Sequence, residues 1–229
     1  LRINAAGLSW QAEYLRKEED VIDRDALFNA ICKGDRKTVI AIVQGAVDAD
    51  GDVVSLLNEV MIPAMREVGE RFSRNDIFVP EMLVAARAMQ GGIDIIEPIL
   101  ANAGYEPIAK VCIGSVKGDL HDIGKNLVVM MLKGAGFEVE DLGVDVEVEQ
   151  FDDAVQRGAR VVCLSALLTT TKDEMRTVIE HFRAREDVKV VVGGAVITQD
   201  YADEIGAAGF GRDATDAVRA VKDCIGIAA

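Results

Sequence analysis

The chain has 229 residues, half of them hydrophobic, enough for one large domain or two small ones around a sizeable core. Its net charge of −14 argues against nucleic acid or an anionic membrane as partner, because both repel a strong like-charge field. No apolar run approaches the roughly 20 residues that span a bilayer, no leader points to secretion, and the cysteines (Cys32, Cys112, Cys163, Cys224) form no CxxC pair, so a reduced, cytoplasmic protein is expected.

Residues 1–24 carry mixed charge and the single Trp10, and read as an N-terminal arm. From Asp25 to about Leu100 the spacing is helical. Asp23 or Asp25 can cap a first helix containing Leu27 and Ile31, and Gly34 ends it. A second helix carries Val39, Val43 and Val47 on one stripe. In a third, Val53, Leu57, Val60, Met61, Met65, Val68 and Phe72 recur at three- and four-residue steps, with a kink expected at Pro63. Pro80 suits the first turn of a fourth, which presents Leu83, Ala86 and Met89 and is expected to end at Gly91-Gly92. Four such helices, over 25–100, make a bundle.

ANAGYEP (101–107), with Gly104 and Pro107, reads as a linker. Over 108–229 short β-rich runs alternate with helical segments. The runs are KVCIGSV, FEVEDLG (137–143), ARVVCLS (159–165) and VKVVVGG (188–194), with a weak fifth at 208–211. Helices are expected over 122–134, 147–157, 172–185 and 198–206, and from Asp213 onward. This alternation predicts a parallel sheet with helices on both faces, and ligands bind such sheets beyond the carboxyl ends of the strands.

GDLHDIGKN (118–126) lies at the end of the first run and holds one of only two histidines. Desolvating charge there is costly, so the residues require a reason. An Asp119 carboxylate on one imidazole nitrogen of His121 would fix the tautomer and leave the other nitrogen free, as in histidine metal ligands. Gly124 permits something bulky to approach. A loop histidine paired to Asp119, with the glycine serving only the turn, is the equal alternative. The third run closes with Ser165-Ala166-Leu167 and the fourth with Gly193-Gly194, whose hydroxyl and bare backbone could line one slot or could simply cap and turn.

Together DLHDIG, SAL and GG resemble the DxHxxG…SxL…GG signature of cobalamin-binding domains, with 40 residues between Gly124 and Ser165 and 25 between Leu167 and Gly193. GERFSRNDIFVPEMLVAARAM (69–89) looks like the helical cap of methionine synthase and of corrinoid proteins of methyltransferase systems. The resemblance covers about 25–226. It implies an all-α helical cap followed by a Rossmann-like (flavodoxin-like) α/β domain that binds cobalamin. His121 would then be the lower axial ligand of cobalt and Asp119 its hydrogen-bond partner. The family relay commonly ends in Ser, six residues after the first residue of SxL. Here that position is Thr171. The resemblance implies further cofactor contacts from Gly118, Leu120, Asp122, Ile123 and Gly124, from Ser165, Leu167 and Thr169, from Gly193 and Gly194, and from Ala214. Phe72, Val79 and Met82 would shield the upper face, although the residues alone favour bundle core for all three.

The resemblance further implies a corrinoid carrier, not catalytic by itself. Cob(I)alamin would take a methyl group from a substrate-specific methyltransferase. The resulting methyl-cob(III)alamin would be presented to a second methyltransferase using tetrahydrofolate or a thiol, with a reductive activator as a further partner. The cap would move aside for each transfer. Alternatives are a fragment of methionine synthase, a cobalamin-dependent sensor or regulator, and the small subunit of a mutase. The chain closes just past its last helix, which fits a complete small protein. Residues 1–24 are short and acidic for a DNA-binding segment, and mutase subunits generally lack this cap.

Overall fold

The computed structural model describes residues 23–102 and 105–227. The expected arm lies, up to residue 22, outside the described residues, as does Gly104 of the expected linker. Two compact units separate: 23–67 with 80–105, and 68–79 with 106–227. The stretch 68–79 groups with the second unit, where Gly69 accepts a 3.4 Å hydrogen bond at its carbonyl from Thr215 Oγ1.

The first unit is helical. Helix α1 (Arg24–Lys33) is capped by Asp23, whose side chain accepts from the Ala26 N–H at 2.8 Å, and it ends on left-handed Gly34. Helix α2 (Arg36–Asp48) buries Val39, Val43 and Ala46, and Val47 is only half-buried. Helices α3 (Val53–Leu56) and α4 (Ile62–Ser73) are joined without a break by a π-helical stretch, Leu57–Met61. Pro63 explains it. With no N–H, Pro63 cannot bond the Glu59 carbonyl, and the Ile62 N–H instead reaches back to Leu57 O, a wider turn.

Helix α5 (Val79–Asn102) corrects the sequence reading: it runs straight through Gly91-Gly92. A Cβ on Gly92 would lie 2.8 Å from Met61 Cε and 3.1 Å from Val39 Cγ1. The glycines allow close helix packing instead of breaking the helix, and that gain outweighs their roughly 1 kcal/mol propensity cost. No helix among the described residues is long and apolar enough to cross a membrane.

The second unit is a five-stranded parallel sheet in the order β2-β1-β3-β4-β5. The strands are β1 (Lys110–Val116), β2 (Glu138–Val146), β3 (Val161–Ser165), β4 (Lys189–Gly193) and β5 (Gly209–Gly211). Between and after them run α6 (Ile123–Gly134), α7 (Val148–Gln156), α8 (Glu174–Phe182), α9 (Gln199–Ile205) and α10 (Ala214–Cys224). All five expected strands are present, including the short fifth.

Central strands β1, β3 and β4 are buried on both faces, as their near-continuous apolar runs require. On one face Cys112, Val162, Leu164, Val190 and Val192 pack with Phe151 of α7, Phe182 of α8 and Tyr201 of α9. Each wholly buried Val or Phe of this kind contributes about 1.5–3 kcal/mol. Alternate positions such as Ile113, Cys163 and Val191 point to the other face, where α6 and α10 pack together. The chain reverses its winding between β1 and β3, the topological switch point at which such sheets bind ligands.

Candidate functional site

Strand β1 ends at Val116, and the chain then turns through Gly118, which has φ +77. That turn sends Asp119 back against the carboxyl end of the sheet, between β2 and β3, where it is 0% exposed. Its two oxygens divide their partners. Oδ1 lies 2.8 Å from Nδ1 of His121 and accepts from the His121 N–H at 3.1 Å. Oδ2 accepts from the Leu167 N–H at 2.8 Å and from the Thr171 hydroxyl at 2.7 Å.

Burial alone would raise the Asp119 pKa. The Thr171 hydroxyl, the Leu167 N–H and His121 outweigh it and hold the carboxyl well below the usual carboxylate range. An ionised Asp119 can only accept, so the hydrogen of this contact lies on Nδ1 of His121, and in the neutral ring that tautomer leaves the lone pair on Nε2. The imidazole is about 50% exposed, so Nε2 is free to bind a metal ion. Ser115, fully buried at the end of β1, donates a 2.5 Å hydrogen bond to the His121 carbonyl and steadies the loop from below. Sequence reasoning missed this residue. A buried Ser in an apolar strand was the available signal.

A cavity of about 500 Å³ lies at the carboxyl ends of β1, β3 and β4, on the face covered by α6 and α10. It brings together most residues expected from sequence: Leu120, His121, Asp122, Ile123, Gly124, Ser165, Leu167, Gly193, Gly194, Ala214 and Phe72. Asp119 and Thr171 stand behind it, and Gly118 shapes the loop. Thr169 is exposed in the turn after β3 and does not line the cavity. Val79 is 39% exposed, whereas Met82 is wholly buried in the core of the helical unit. The walls also include Ile113, Cys163 and Arg212, which no motif marked.

The glycines have distinct tasks. A Cβ on Gly194, at φ +136, would lie 1.9 Å from Ala166 O, and one on Gly193 would lie 2.9 Å from Gly211 O. Neighbouring backbone therefore excludes a side chain at both. At Gly124 a Cβ would meet nothing within 4 Å, so space there is open to a ligand. Beside it Leu120 and Ile123 are 71% and 83% exposed, an apolar pair that a flat macrocycle could cover.

A histidine with a fixed tautomer, an open glycine, exposed apolar neighbours and a deep cavity fit a corrinoid with a nucleotide tail. Two family models, each described as a B12 binding domain, match residues 23–97 and 109–222. A corrinoid protein of Desulfitobacterium hafniense (strain Y51) is 38% identical over 88% of this chain and 97% of its own length. Trimethylamine corrinoid protein 2 of Methanosarcina mazei is 40% identical over 85% of this chain and 92% of its own. Among solved structures, a cobalamin-binding protein from D. hafniense DCB-2 is 32% identical, with a TM-score of 0.73 over 89% of this chain and 99% of that one. A chain of the methanol:cobalamin methyltransferase complex MtaBC from Methanosarcina barkeri is 26% identical, with a TM-score of 0.78 over 98% of this chain and 93% of that one. The chain belongs to the B12-binding corrinoid proteins of methyltransferase systems.

Proposed function

We propose that this chain is a methyl carrier that shuttles between two methyltransferases, and that Nε2 of His121 would hold the cobalt of its corrinoid. The observation that carries the reading is the 2.8 Å contact from Asp119 to Nδ1, which turns Nε2 away from the carboxylate on a half-exposed ring beside the cavity. When bound, the corrinoid supplies a cobalt centre that can take up a methyl group and release it.

The chain's own residues do the rest. Asp119 holds the Nδ1 proton and raises the basicity of Nε2. Thr171, 2.7 Å from Asp119, donates its hydroxyl hydrogen to the second carboxylate oxygen and so would hold Asp119 ionised and oriented toward His121. The apolar walls formed by Ile113, Cys163 and Val191 would exclude water from the tail. Phe72 lines the same cavity and would shield a bound corrinoid from water. Methylamines and methanol, named for relatives, are the donors to test first, and tetrahydrofolate or a thiol the acceptors. A reductive activator would restore cobalt after oxidation.

The test is to load the full chain with hydroxocobalamin, reduce it, and assay methylation by donor–methyltransferase pairs. His121→Gly should change the visible spectrum of the loaded protein and slow transfer. An unchanged spectrum and rate in His121→Gly would rule out His121 as the ligand.

A further inference from the structure

Strand β2 carries two irregularities just where it passes the end of β1. Register runs Ile113↔Asp141, then Gly114↔Gly143, then Val116↔Val146. One step on β1 is matched by two on β2, and the next two steps by three. Extra residues of this kind re-aim side chains beside functional sites. Both are held by carboxylates. Asp141 Oδ1 accepts from the buried Lys125 Nζ at 2.5 Å and from the Gly143 N–H at 2.9 Å, with Gly143 at φ +86. Two residues later Asp145 adopts φ +53, a left-handed conformation uncommon for a residue with a side chain. Val146, 1% exposed, anchors the strand immediately after it.

That conformation lets Asp145 hold the histidine loop at two points. Its Oδ1 accepts from the Gly118 N–H at 2.6 Å, and its own N–H donates to the Asp119 carbonyl at 3.0 Å. The peptide on each side of Gly118-Asp119 is thereby fixed from β2. Asp119 and His121 both hang from this backbone. Asp119 N–H to Val116 O, at 2.9 Å, is the other main-chain tie.

We infer that Asp145 is a positioning residue: it clasps the Gly118-Asp119 backbone so that the Asp119 carboxylate meets Nδ1 of His121 and leaves Nε2 free. The inference rests on the corrinoid reading of His121 for its purpose, but its geometry can be read without corrinoid.

The experiment compares Asp145→Asn and Asp145→Gly in the full chain. Asparagine keeps the acceptor and tolerates positive φ. Glycine keeps the φ and the N–H but removes the acceptor. Histidine ¹⁵N NMR of the corrinoid-free protein reports the tautomer directly, and His181→Gln assigns the two rings. Wild type and Asp145→Asn should show Nδ1–H at His121. In Asp145→Gly the Nδ1–H to Nε2–H ratio should fall several-fold, and hydroxocobalamin should bind roughly 10-fold more weakly. Three results would overturn the inference: an unchanged tautomer in Asp145→Gly, even if that variant melts earlier or binds more weakly; an unchanged affinity despite a shifted tautomer; or a shift of equal size in Asp145→Asn. If wild type shows the expected tautomer and fails to bind hydroxocobalamin, the corrinoid reading fails and the clasp stands.

Discussion

Thr171 Oγ1 and Asp119 Oδ2 lie 2.7 Å apart although 52 residues separate them in the chain, and this bond closes a line of three side chains that ends at His121. Thr171 is 7% exposed, so the carboxylate oxygen it serves has no access to water in its place. Thr171→Val keeps the shape and removes the donor. It should destabilise the protein by about 1–3 kcal/mol, the cost of leaving a buried acceptor short of a partner. Thr171→Ser retains the hydroxyl and should cost about 1 kcal/mol or less. Urea unfolding of both variants checks this, and equal stability of Thr171→Val and wild type would sink it.

Stability should fall at alkaline pH for a reason lodged in the sheet. Burial, with the Glu140 charge adding to it, pushes the Cys112 thiol up to about 12, and burial pushes Cys163 well above its ordinary value. In the unfolded chain both would ionise near 8.5, so between roughly 8.5 and 10 the folded state binds more protons and loses stability as pH rises. The slope should be on the order of 1 kcal/mol per pH unit for each thiol. Unfolding under reducing conditions across that range should show a shallower slope for Cys112→Ala than for wild type.

Two glycine-to-alanine changes should have opposite effects. Gly194→Ala places a methyl against the Ala166 carbonyl at a φ that side chains avoid, and should cost more than about 2 kcal/mol. Gly124→Ala meets no protein atom and lies in α6, so it should leave the corrinoid-free protein as stable or stabilise it by up to about 1 kcal/mol. The same methyl should weaken hydroxocobalamin binding, measured by absorbance titration.

The Lys125–Asp141 pair is asymmetric, because the lysine side chain is 1% exposed and the aspartate 35%. Asp141→Ala strands a buried ammonium with only Asn126 Oδ1, 2.8 Å away, and frees the Gly143 N–H. It should cost about 3 kcal/mol or more. Lys125→Met removes the charge instead and should cost clearly less. Chemical denaturation of the two variants gives the comparison, and a larger loss for Lys125→Met would contradict it.

The sequence by itself determined the element types and the parallel sheet, because hydrophobic period and strand burial are local properties of the chain. It also marked His121, Asp119 and the Ser165 and Gly193 strand ends, because their motifs are contiguous. It misjudged Gly91-Gly92, since a glycine pair reads the same whether it breaks a helix or admits a neighbour, and only the approach of Met61 and Val39 distinguishes the two. It left Asp119 and His121 open between a loop ion pair and a ligand site. Tertiary structure decided what lies around them. Ser115 and Asp145 reach the pair from β1 and from a distorted β2, and no local spacing encodes those approaches, whereas Thr171, which the family motif had already marked, reaches it from the turn after β3. Burial then gives these contacts their strength, because a carboxylate withdrawn from water depends entirely on the donors the fold brings to it.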